Sequence, residues 1–203
     1  MHISEGVLSA PVLVSGGVGT VVGMTIGLKQ MEDKDIPKTA IISAALFVAS
    51  LIHLPVGPTN IHLILNGIAG ILLGWRAFPA FFIAFFLQGI LFQFGGVTTL
   101  GVNVIIMALP AVICYYLFKI LFKVINDENL VSLGIITFVC GFLAVFLAAL
   151  LMAVALVFTE EAFLEVAKVA IISEAPLMIV EGIVSAFCLV FIKKVKPEIL
   201  KGR

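Results

Sequence analysis

Apolar runs of about 15 to 25 residues, the length that crosses a bilayer as a helix, recur along the whole chain between short polar links. Seven are read: Pro11–Leu28, Thr39–Leu54, Ile61–Gly74, Phe78–Phe94, Val102–Phe122, Val131–Phe158 and Val169–Ile192. The pattern predicts an all-α integral membrane protein with about seven transmembrane helices. The second and third runs are short, and Pro55-Val56-Gly57-Pro58-Thr59-Asn60 joins them. Non-helical backbone at membrane depth persists only where protein or water satisfies its polar groups. That link is therefore expected to line a cavity rather than face lipid. No extramembrane stretch is long enough to fold alone, so residues 1–203 are read as one transmembrane domain.

Composition agrees with a bilayer as solvent. Of 203 residues, 62% are hydrophobic and only 12% charged, where a soluble domain carries roughly a quarter charged. Too few polar side chains remain to cover a soluble surface. Zero net charge offers no field to nucleic acid. Cys114, Cys140 and Cys188 stand far apart inside apolar runs and read as packing residues, with no C-x-x-C spacing. The G-x-x-x-x-G-K-[ST], H-E-x-x-H and G-x-S-x-G patterns are all missing, which removes ATP hydrolysis by a phosphate loop and the usual hydrolase chemistries.

Basic residues set the orientation. With the amino terminus outside, the inner loops hold Lys29, Lys34, Lys38, Arg76, Lys119 and Lys123. The tail over 193–203 adds Lys193, Lys194, Lys196, Lys201 and Arg203, leaving only Lys168 outside. The amino terminus is therefore expected outside and the carboxyl terminus in the cytoplasm of a prokaryotic cell, with the chain in the cell (inner) membrane. No Lys or Arg precedes the first run, so it lacks the basic start of a cleaved signal and is expected to persist. Gly19-x-x-x-Gly23-x-x-x-Gly27 and Gly70-x-x-x-Gly74 are small-residue ladders that let helices approach closely, within the bundle or against a partner.

Chemistry concentrates in few residues. His2, His53 and His62 are the only histidines, and in this topology all three lie toward the outer face. Imidazole is the commonest metal-binding side chain. In Met1-His2 the α-amine of Met1, the deprotonated amide of His2 and its Nδ1 form fused chelate rings, and another histidine would complete a planar nitrogen set. Planar nitrogen geometry suits Ni(II) or Cu(II), whereas zinc prefers a tetrahedron. The bulky His2 is expected to protect Met1 from removal. Residues 1–10, read as the metal-binding segment, extend to roughly 30 Å, enough to fold back into a pocket. A solvated terminal His2 is the plainer alternative.

His62 opens the third run, where an ionisable group is a functional candidate by default, or else an interfacial histidine bonding the loop. His53 is read as an orienting partner of the site or an interface residue. Asn103 could hydrogen-bond a metal-bound imidazole or cap the fifth helix. Glu5 could neutralise the terminal amine or the cation, or be a solvated acid. Glu174 and Glu181 lie within the seventh run, where carboxylates are expensive. Glu181 could carry a proton or meet a partner helix, or be a protonated carboxyl satisfied in the bundle.

These residues sit in stretches that resemble the nickel/cobalt substrate-binding subunits (S components, NikM/CbiM family) of energy-coupling-factor (ECF) transporters. The resemblance rests on Met1-His2-Ile3-Ser4-Glu5-Gly6, Gly57-Pro58-Thr59-Asn60-Ile61-His62, Gly95-Gly96-Val97-Thr98-Thr99-Leu100-Gly101-Val102-Asn103 and Ile179-Val180-Glu181-Gly182. It implies a seven-helix subunit whose amino terminus enters the pocket from outside. The implied ligands are the Met1 amine, the His2 amide and imidazole, and the His62 imidazole. It also implies a membrane coupling subunit and cytosolic ATPase subunits as partners, often with a small accessory membrane protein. Cobalt-type members resemble each other in a histidine where this chain has Phe94, and tend to lack one at His53. Both features lean toward Ni2+ as transported substrate, with Co2+ the alternative. No cofactor and no enzyme activity are expected. Two rivals remain: a gradient-driven secondary cation transporter using Glu174 and Glu181, and an intramembrane metalloenzyme using His53 and His62.

Overall fold

The computed structural model describes residues 3–56, 59–123 and 129–200, with backbone alone over 53–56 and 59–61. Its elements are α1 (Ala10–Lys29), α2 (Ile36–Ala49), β1 (His53–Val56), β2 (Thr59–His62), α3 (Asn66–Leu73), α4 (Ala77–Phe92), α5 (Leu100–Phe122), α6 (Leu130–Thr159), α7 (Leu164–Ser173) and α8 (Ala175–Val195). Among the described residues, five helical segments are long and apolar enough to cross a membrane: Ala10–Lys29, Asn66–Phe92, Leu100–Phe122, Leu130–Thr159 and Glu161–Val195. Large apolar side chains such as Val14 and Val18 of α1 and Phe187 and Phe191 of α8 face outward, as lipid contact requires.

The segment read as the second and third spans differs from the expectation. α2 stops at Ala49, and an antiparallel hairpin follows, with residue 53 opposite 62 and 56 opposite 59. The run Ile61–Gly74 is therefore not one helix. His62 ends a strand, and α3 begins only at Asn66. The ladder supplies the hairpin's backbone with partners that a lipid-facing loop would lack. All eight residues of α3 are buried, which fits a helix apolar on every side. Gly57 and Pro58 of the joining link lie outside the described residues.

The seventh run is also divided. α7 ends at Ser173, Glu174 bridges, and α8 starts with proline in its first turn. Pro176 carries no N–H and its ring opposes a continuous helix before it, while the first turn of a new helix accepts it.

Small residues set the packing distances. A side chain at Gly23 would collide with the Phe78 ring, and one at Gly27 with the Trp75 carbonyl 2.5 Å away. Gly19 meets Ile105 of α5, so the first ladder is spent inside the bundle, on α5, α4 and the turn before α4. Gly70 meets the backbone of Ala111 on α5. Where α3, α6 and α8 converge, a Cβ on Gly67 would lie 2.6 Å from Gly141 Cα, and one on Gly141 2.7 Å from the Glu181 carbonyl. Cys114 and Cys140 do more than fill space: the Cys114 thiol donates to the Cys140 carbonyl at 3.2 Å and joins α5 to α6.

Asp35, between α1 and α2, pairs with Arg76, between α3 and α4. Burial pushes the Asp35 carboxyl up, but the Glu32 N–H and the Arg76 guanidinium outweigh it and hold it below its ordinary value. A carboxyl depressed on folding stabilises the fold above its unfolded pKa, and that contribution disappears as pH falls through the folded value. Arg76→Met should cost about 1 kcal/mol near neutrality and flatten the acid limb of thermal stability in detergent. An unchanged acid limb would show that the pair contributes nothing.

Candidate functional site

Ile3, the first described residue, is drawn into the bundle, while Ser4, Glu5 and Gly6 after it are exposed. Ile3 is 5% exposed, and its N–H donates to Asn103 Oδ1 at 3.0 Å while Asn103 Nδ2 donates to the Ile3 carbonyl at 3.1 Å. The side-chain amide thus imitates a neighbouring strand, satisfying both backbone groups of a buried residue that has no other element to pair with. Asn103 sits one turn into α5 and is steadied by Thr99 Oγ1 at 3.3 Å. Among the described residues its partners are the Ile3 backbone and the Thr99 hydroxyl at the start of its own helix.

Glu5 makes the next anchor. Its Oε1 accepts from the Thr98 N–H at 3.1 Å, and its side chain occupies the space a Cβ on Gly96 would need. The Gly95-Gly96-Val97-Thr98 link is therefore shaped around Glu5. Leu8 is buried, and the Ser9 N–H donates to Thr159 Oγ1 at 3.3 Å at the end of α6. Met1 and His2 lie outside the described residues. Ile3, the residue next to them, is already inside.

The second component is the exit from the hairpin. His62 is half-buried, with Nδ1 3.2 Å from the Leu63 carbonyl. A proton on Nδ1 directed there leaves Nε2 as the ring's lone-pair donor. Just beyond, Leu65 adopts φ 56° and ψ 21°, a left-handed conformation that costs a leucine roughly 1–3 kcal/mol. Glu181 of α8 offsets this. Fully buried, it accepts the Leu65 N–H at both oxygens, at 2.9 and 3.1 Å, and the Ile64 N–H at Oε1. The cap of α3 is thus supplied by another helix.

The register makes residue 53 the cross-strand neighbour of 62. The side chain of His53 is outside the described residues. Glu174 is half-buried at the α7–α8 break, with Oε2 unpaired among the described residues. Ile3 and Ile64 belong to the same buried apolar cluster as Leu177 and Met178 of α8.

Three contributors were invisible in the residue pattern. Asn66 is buried and ties α3 to the Ala144 carbonyl on α6 at 3.1 Å. Gln88 is fully buried, with neither polar atom hydrogen-bonded among the described residues. Ile3, an ordinary apolar residue by type, acts through its backbone. Among the described residues, no group of three or more His, Cys, Asp or Glu side chains gathers into a metal-binding set.

Fold and site together define a multi-pass membrane protein whose amino-terminal segment is anchored to its helical bundle at Ile3, Glu5 and Ser9 and which carries a histidine-ended hairpin. The family described as CbiM, cobalt uptake substrate-specific transmembrane region, matches residues 2–199. The chain belongs to that family. It is 41% identical over 204 residues to a Haemophilus influenzae protein provisionally named for metal transport, covering 98% of this chain and 97% of the relative. It is 27% identical to the Sorangium cellulosum cobalt transport protein CbiM, covering 98% and 94%. A 114-residue match at 34% identity joins 53% of this chain to 33% of the Rhodobacter capsulatus fused nickel transport protein NikMN. Among solved structures, a transition metal transporter superposes with TM-score 0.81 at 27% identity, covering 96% of this chain and 93% of that one. A truncated transition metal transporter superposes with TM-score 0.78 at 27% identity, covering 98% and 99%.

Proposed function

We propose that this chain captures Ni(II), with Co(II) the alternative cargo, at a nitrogen site near the outer face of the cell membrane. The ligands are the Met1 amine, the His2 amide and Nδ1, and the His62 imidazole. The observation that carries this reading is the Asn103 clamp on Ile3, which commits the chain to the bundle interior one residue after the chelate. Family membership supports the transition-metal cargo, and Phe94 and His53 favour nickel. Amide nitrogen as a ligand favours metals that accept planar geometry.

Seven spans with the amino terminus outside and the carboxyl terminus in the cytoplasm complete the proposal. The seven crossings are then α1, α2, α3, α4, α5, α6 and the α7–α8 segment, with α2 and the eight-residue α3 the short ones. The Asp35–Arg76 pair is consistent with the two links it joins sharing one side. Delivery is ATP-driven: an ECF membrane coupling subunit and cytosolic ATPase subunits, with a small accessory membrane subunit, reorient the chain and open the site inward. This chain binds and hands over the ion, and hydrolysis belongs to the partners.

The reading is tested by calorimetric titration of the purified chain with nickel and cobalt. One site per chain is expected, tighter for nickel. Protons compete for amine, amide and imidazole, and an α-amine has an ordinary pKa of about 7.7–8.0. Affinity should therefore climb steeply between about pH 6 and 8.5 as the amine deprotonates. A flat profile, or no saturable binding of either metal, would contradict it.

A further inference from the structure

Glu181 does not face an open site, yet it is the most deeply committed charged side chain in the bundle. It is fully buried, and among the described residues it accepts from the backbone N–H groups of Ile64 and Leu65. Those residues lie two and three positions after His62. They leave the hairpin through the left-handed turn at Leu65, whose direction sets where the strand end, and the ring on it, must point.

The carboxylate reaches that turn only because three helices almost touch. Gly67 of α3 lies against Gly141 of α6, and Gly141 lies against the Glu181 carbonyl of α8. Gly182, the next residue, lies against Phe138, whose ring carbons would be 2.8 Å from a Cβ there. These contacts hold α8 close to α6, and α6 close to α3, beside the turn that the carboxylate reaches.

We propose that Glu181 is the positioning residue of the metal site. It touches no metal. By gripping the Ile64 and Leu65 amides it fixes the exit of the hairpin, and with it the imidazole of His62 that supplies the fourth nitrogen. The grip also ties the site to α8: a displacement of α8 that pulls Glu181 from the two amides withdraws His62 from the ion and leaves three nitrogens from the chain start. This inference rests on His62 being a ligand, as set out above.

The test is nickel titration of the purified chain, with the visible ligand-field spectrum recorded at saturation, for wild type, E181Q, E181A and H62A. Partners that orient a ligand without touching the metal typically contribute 10–100-fold in affinity. E181A should weaken nickel binding by about that factor and change the saturated spectrum toward that of H62A. E181Q presents one acceptor oxygen in place of two, so it should fall between, about 3–10-fold below wild type and with a wild-type spectrum. A helix cap with no role in the site would lower thermal stability and leave the saturated spectrum untouched in E181A. That spectrum, or both variants binding within twofold of wild type, overturns the proposal. Should E181A fail to fold, E181Q decides alone, and affinity within twofold of wild type overturns it. The metal reading fails separately: if H62A itself binds nickel like wild type, His62 is no ligand, whatever Glu181 does.

Discussion

Adding one residue ahead of Met1 abolishes tight nickel binding while leaving the protein folded. The extension turns the Met1 amine into a peptide amide and moves the free amine out of the five-membered chelate ring. Loss of a direct ligand must exceed the 10–100-fold that orienting partners contribute, so affinity should drop by more than about 100-fold. Folding should survive because the anchors of this segment lie downstream of the change. Ile3 is held by Asn103, Glu5 by Thr98 and Ser9 by Thr159. Calorimetry with metal and thermal unfolding without it separate the two effects. Equal nickel affinity in native and extended chains would remove the chelate from the account.

The second large effect is at His62. H62A should also cost more than about 100-fold in nickel affinity, because it deletes the only side-chain nitrogen that the hairpin exit offers. His62 is half-buried and the seat around Glu181 is built by residues of α3, α6 and α8, so loss of the ring should leave that seat intact. H53A is the internal comparison. Position 53 stands opposite 62 on the ladder, where it can steady the site without binding the ion, and its loss should stay within about 100-fold. Equal losses in the two variants would place both rings on the metal.

Long apolar runs made most of the bundle legible. α1, α4, α5 and α6 follow the predicted spans to within a few residues, because twenty apolar residues have few alternatives in a bilayer. The hairpin was not legible. Ile61-His62-Leu63-Ile64-Leu65 is apolar and unpunctuated, and such short runs serve strand and helix equally. What decides for a strand is β1, which offers a ladder partner across the Gly57-Pro58 link. The break at Glu174 had a visible sign in Pro176, yet the run around it is apolar enough to pass for one span.

The site divides along similar lines. Residue types that bind metals can be read singly, so the three histidines could be picked out, and the resemblance supplied their roles. Contacts to backbone carry no residue signature at the far end. Nothing in the sequence marks Ile3 as needing the two hydrogen bonds that Asn103 supplies. Glu5 is exposed, as a solvated acid would be, and it also holds the Thr98 amide. Glu181 was expected to carry a proton, meet a partner helix or sit protonated, and its amide partners lie more than a hundred residues away along the chain. Such pairings form only once glycines have brought α3, α6 and α8 together.

The central claim is that the chain start, not a cluster of side chains, wraps the transported ion. An anomalous difference map at the nickel absorption edge, from crystals grown with nickel, tests it most directly. The account predicts a single peak within bonding distance of the Met1 nitrogen, the amide and Nδ1 of His2 and a ring nitrogen of His62, with the four nitrogens in one plane. A peak elsewhere in the bundle, or a terminus lying in solvent away from His62, would contradict it.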